Sequence, residues 1–219
     1  MLRKPLPLLA VMALACTAAA HADGLDIQKI NGEVRVEAGQ RSGDAQTVNG
    51  SIRIGDGATA KEVSTVNGSI EVASNAAIDA AETVNGGIEI GEGARVRDAV
   101  TAVNGAIVLR EKAEIGGDVE NVSGSIAAHG ARIAGRVGTV NGDIEIGARS
   151  RVGKGILVDK PDHGWLRAKP RTPRVVIGPH AVVEGTLEFH REVELLVSDS
   201  ATIGEVKGAT ARTFSGDRP

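Results

Sequence analysis

The chain has no tyrosine, one tryptophan (Trp165) and two phenylalanines (Phe189 and Phe214) in 219 residues. Such scarcity excludes an ordinary globular core built around large rings, and it removes the stacking platforms that sugar- and base-binding sites favour. There is a single cysteine, Cys16, so no intrachain disulfide can form. Nor is there an excess of positive charge. Without Arg3 and Lys4, 23 basic residues face 28 acidic ones, a net of −5, which argues against a general nucleic-acid binder. After residue 22 no apolar run is long enough to cross a bilayer, which takes roughly 20 residues.

The first segment reads as an address. Arg3 and Lys4 precede an apolar run from Leu6 to Cys16, and Ala20-His21-Ala22 stands ahead of Asp23. A charged start, a short apolar stretch and an A-x-A exit predict a signal peptide over residues 1–22 and export to the periplasm or cell surface. Lipidation of Cys16, after "ALA", is the alternative, and only that would place the chain on a membrane.

What is abundant is a repeat. Asn-Gly pairs begin at Asn31, Asn49, Asn67, Asn85, Asn104 and Asn141, with Ser123-Gly124 in the missing place, at steps of 18 or 19 residues. Aliphatic residues recur within each unit every six positions, as Val48, Ile54, Ala60, Val66, Val72 and Ile78. A second set follows each Val of the VNG by four: Ile52, Ile70, Ile88, Ile107, Ile126 and Ile144. A helix needs a period near 3.6, so the pattern predicts short strands broken by corners. Three six-residue sides per unit predict an all-β fold, a single-stranded parallel β-helix with triangular coils of about 18 residues.

The Asn-Gly pair is expected at a corner that needs left-handed backbone. Stacked coils would then bring the asparagine amides into a ladder along the axis. The Val before the corner and the Ile after it are expected to face the core, so that Val84→Asp would bury an unpaired charge. Arg53, Glu71, Glu89 and Glu145 are expected to face water.

Residues 23–158 form the repeat region. The segment 159–174, "DKPDHGWLRAKPRTPR", carries three prolines and a basic excess, and predicts an exposed loop. Trp165, Arg167, Lys169 and Arg171 make it the candidate partner-binding loop, for an envelope polymer or protein. Residues 175–206 resume the repeat form, and 207–219 read as a frayed tail or a cap.

Chemistry is thinly represented. His129, His163, His180 and His190 are scattered, and only His180 and His190 are expected on adjacent coils. No catalytic, cofactor-binding or metal-binding set emerges. The phosphate-cradling G-x-x-x-x-G-K-[ST] pattern is missing from the sequence.

The TVNG units at 47–52, 65–72, 83–90 and 139–146, with "VVIGPHAVVEGTL" further on, resemble bacterial VNG-repeat, adhesin-like proteins and polymer-forming, bactofilin-like proteins. The resemblance covers roughly residues 29–206. It implies a right-handed β-helix, end-to-end self-association and no catalytic residues, although the signal peptide departs from bactofilins, which act at the cytoplasmic side. The chain therefore reads as an exported, non-enzymatic structural solenoid. A binding module acting through the Trp165 loop and a glycan-active envelope enzyme are the alternatives.

Overall fold

The computed structural model describes residues 24–161 and 171–219. The signal-like segment and Trp165, Arg167 and Lys169 lie outside them. Every regular element among the described residues is a β-strand. The strands form three parallel sheets of ten, seven and ten strands, stacked as a β-solenoid of about nine turns. We name them in chain order within a coil. Sheet B starts with Val34–Val36, sheet C with Ala77–Ile78 and sheet A with Ile27–Asn31.

Register is kept from coil to coil. Ile52 stands beside Ile70, which stands beside Ile88, then Ile107, Ile126 and Ile144. All six are at most 1% exposed. No coil could hide these side chains by itself, so each depends on its neighbours above and below. A fully buried Ile contributes about 1.5–3 kcal/mol, which explains how a chain with almost no aromatics holds a core.

The sides of the triangle are unequal. Within one coil the inward pairs are Ile52 and Ile54, then Ala58 and Ala60, then Val63 and Thr65, before Ile70 and Val72 begin the next. The steps are therefore 6, 5 and 7 residues, not three sixes. This corrects the expected burial of the VNG valines. Val48, Val66, Val84, Val103, Val122 and Val140 are only half-buried. Strand alternation puts the preceding residue inside instead: Thr47, Thr65, Thr83, Ala102, Asn121 and Thr139 are 0–3% exposed. The threonine hydroxyls are not stranded there. Thr65 donates to the Gly50 carbonyl at 2.9 Å, and Thr83 to that of Gly68 at 3.0 Å.

Left-handed backbone is only partly where the Asn-Gly pairs predict it: Gly32 and Gly124 at that corner have φ of 104° and 122°. None of the repeat asparagines has a positive φ; among the described residues the non-glycine residues that do are Asn75, Lys112, Arg149 and His180, at 56–59°. They share the corner between sheets B and C with Gly39, Gly57, Gly93 and Gly130, at 64–70° apart from Gly57 at 63°. At Gly68 of the Asn-Gly corner the requirement for glycine has a further cause. A Cβ at Gly68 would fall on the Gly50 carbonyl oxygen, because successive coils approach too closely there for any side chain.

The strands after the excursion rejoin the same sheets. Val175 pairs beside Ile144 in sheet B, and Leu187 beside Ile156 in sheet A. The last strand, Ala211–Phe214, lies within the expected tail and pairs with Leu195–Ser198.

Candidate functional site: the amide edge and the base of the excursion

The corner between sheets A and B carries the residues singled out by the repeat. Asn49 donates its side-chain amide to Asn31 Oδ1 at 3.1 Å, Asn67 to Asn49 at 2.9 Å, Asn85 to Asn67 at 3.0 Å and Asn104 to Asn85 at 3.1 Å. In-register stacking makes this run of amides, since each asparagine has the same backbone partner one coil away. The run stops where Ser123 takes the place of asparagine. Asn141 is not part of it, a correction to the six-membered ladder. With a serine one coil below, its amide oxygen instead accepts a bond from Arg191 at 2.7 Å.

One coil above Asn141 the short corner is replaced by the excursion. Val158 ends its sheet A strand and Arg174 begins the next sheet B strand. Both feet of the excursion are tied to side chains of neighbouring coils. At the first foot, Asp159 Oδ1 lies 2.9 Å from His190 Nδ1. At the second, Arg171 pairs with Asp143 at 2.6 Å, and the Arg174 amide donates to the same carboxylate at 2.9 Å. Arg191 spans the gap between the two coils. Its guanidinium donates to the Val140 carbonyl, to Asn141 Oδ1 and to the Arg171 carbonyl, at 2.9, 2.7 and 2.9 Å. Five donors on one planar fork suit Arg to such a bridge.

His190 is held from both sides, with Nε2 2.7 Å from Glu188 Oε1. The bond to Asp159, then that to Glu188, raises its pKa above the ordinary 6.5, and burial only partly opposes this. Burial pushes the Asp159 carboxyl up, but the bonds from His190 and the Lys160 amide outweigh it and hold the pKa below its usual value. The bond from His190 likewise lowers Glu188. The cluster is an imidazole between two carboxylates, with no nucleophile in contact among the described residues.

Of the loop residues proposed from the sequence, Arg171 is thus a structural anchor at the base. His180 and His190 do not meet: His180 sits at the B–C corner and His190 at the A–B corner. Among the described residues no group of three His, Cys, Asp or Glu could hold a metal ion, and no helix is long and apolar enough to cross a membrane. His190 and Arg191 were missed as a pair with the excursion. Their signal was Phe189 standing beside Val158, which puts His190 next to Asp159. Comparison with models of protein families, with curated proteins and with solved structures finds no match to this chain.

Proposed function

We propose that the chain is an exported, non-enzymatic structural element of the cell envelope, self-associating end to end in the manner of adhesin-like and polymer-forming repeat proteins. The observation that carries this reading is the state of the two ends. Among the described residues Ile27–Asn31 is paired on one side only; Leu25 just before it and Ile30 within it are 83% and 65% exposed. At the other end Val206–Lys207 and Ala211–Phe214 are the outermost strands of sheets A and B. Among the described residues no helix covers either end. An outermost strand offers a row of unpaired N–H and C=O groups, a template for another coil.

Light scattering across a concentration series is the test. Growth of linear species, reversed by replacing Ile30 with Lys, supports self-association; a strict monomer throughout leaves only a rigid spacer. Export is checked on the envelope fraction, where the chain should begin at Asp23, or carry lipid on Cys16.

A second reading has its own support. The feet of the excursion are fixed by Asp143, His190 and Arg191, as would suit a loop presented to an envelope polymer or protein. Deleting residues 160–173 should then abolish capture of that partner and leave the solenoid folded.

A further inference from the structure

The outer face of sheet C is a long open groove with a volume of about 1110 Å³. Arg41, Lys61, Arg95, Arg97, Arg132 and Arg151 line it, against Asp79, Glu114 and Glu184. Six basic against three acidic side chains make a net of +3. The neighbouring groove, over the corner between sheets B and C, has the opposite sign: two basic residues against six acidic ones, a net of −4. On a chain of net charge −3 the basic face is thus a local feature, not an overall bias.

Its charges are ordered along the axis. Arg41, Thr59, Ala77, Arg95, Glu114, Arg132 and Arg151 are successive partners in one column. Lys61 belongs to the second level, Arg95 and Arg97 to the fourth and Arg132 to the sixth. Asp79 and Glu114 occupy the levels between. From the second level to the sixth, like charges therefore recur every second coil, about 10 Å apart, and Arg41 and Arg151 add a further positive charge on the level beyond each end of that run. On the levels of Glu114, Arg132 and Arg151 the residues following the strands are small, Gly116, Ala134 and Gly153, so the floor there is bare.

The ion pairs in the groove do not lock it. Glu114 alone serves two guanidinium groups, Arg95 at 3.1 Å and Arg132 at 3.6 Å. These arginines are 71% and 73% exposed, and exposed pairs are weak enough for another anion to compete. Guanidinium groups also bind carboxylates and similar groups with two parallel hydrogen bonds.

We propose that the outer face of sheet C binds a linear acidic glycan, laid along the solenoid axis with its anionic groups on alternate coils, against Lys61, Arg95 and Arg132. An extended peptide would gain nothing from the backbone here, because every strand between the ends of the sheet is already paired on both sides. A nucleic acid strand, with a phosphate every few ångström, would set some of its charges against Asp79 and Glu114. A polymer with one acidic group per two sugar units avoids both.

The probe is a hyaluronan oligosaccharide, which carries one carboxylate per two sugars, titrated into the full chain at a concentration where it is monomeric. Neutral dextran of equal length and oligothymidine of equal charge are the comparisons. Hyaluronan should bind at low salt and dextran should not. The double variant R95A/R132A should weaken binding roughly fivefold, and Arg53→Ala on sheet B should leave it unchanged. Glu114→Gln should tighten binding roughly twofold, by releasing two arginines, which no failure to fold would imitate. Deletion of 160–173 should have no effect, which separates this surface from the loop. Equal binding by R95A/R132A, weaker binding by Glu114→Gln, or preference for oligothymidine would overturn the proposal.

Discussion

Exchanging the chemistry of residues 83 and 84 tests which of them faces the core. Thr83 is 0% exposed and its hydroxyl is the donor to the Gly68 carbonyl at 3.0 Å. Thr83→Val keeps the shape, removes the donor and leaves the part-buried Gly68 carbonyl oxygen without it. A buried polar group left unpaired costs about 1–3 kcal/mol. For a chain of this length each kcal/mol moves Tm by about 2–4 °C, so a fall of about 2–12 °C is expected. Val84 is half-exposed, and water reaches the hydroxyl of Val84→Thr. That change should stay within about 0.5 kcal/mol. Urea melts followed by far-ultraviolet circular dichroism give the comparison, and midpoints suffice even where a repeat chain departs from two-state behaviour. If Val84→Thr proved the more damaging of the two, the inward position would belong to valine and the 6-5-7 division of the coil would be wrong.

Three further outcomes follow from named contacts. Gly68→Ala drives a methyl into the Gly50 carbonyl oxygen and should cost about 1–3 kcal/mol or more by the same urea melts, while Gly57→Ala meets no atom and should suffer only from its φ of 63°. Deamidation needs the amide nitrogen after the asparagine, and those of Gly50, Gly68 and Gly86 are bonded to the Asn67, Asn85 and Asn104 carbonyls. Mass spectrometry should therefore find these sites stable in the folded chain at alkaline pH and labile once urea unfolds it. His190, with its pKa raised, stabilises fully below its ordinary 6.5 and loses this as pH rises through the higher folded value. Asp159 and Glu188, with theirs lowered, lose their share only as pH falls through those lower values. The destabilisation by His190→Gln should thus be greatest near pH 5–6 and shrink toward pH 9, read as a difference in Tm from the parent chain.

The repeat made the stack legible because Ile52, Ile70, Ile88 and their counterparts do the same work in every coil. It did not reveal which of the adjacent Thr and Val points inward, since both are β-branched and an even spacing of six accommodates either. Only the glycine carbonyl one coil away makes a buried threonine tolerable. The left-handed corner was hidden for a similar reason. Gly39, Gly57, Asn75, Gly93 and Gly130 mark it on five levels, but Lys112, Arg149 and His180 occupy it on three others without the glycine or asparagine that usually betrays such backbone, which breaks the pattern. The base of the excursion could not be read locally, because Asp159 and His190 lie 31 positions apart, across an interruption that breaks the period. The basic groove escaped notice because its arginines share their column with Thr59, Ala77 and Glu114.

Distances between coils test the stacking itself. With Cys16 replaced by serine, spin labels at Ser51 and Ser125 occupy one column, four levels apart. Pulsed electron paramagnetic resonance should then give a single narrow distribution at about 19 Å, allowing for the label arms, although the two sites are 74 positions apart in the sequence. A broad distribution, or a separation well beyond about 30 Å, would contradict a chain wound in register every 18 or 19 residues.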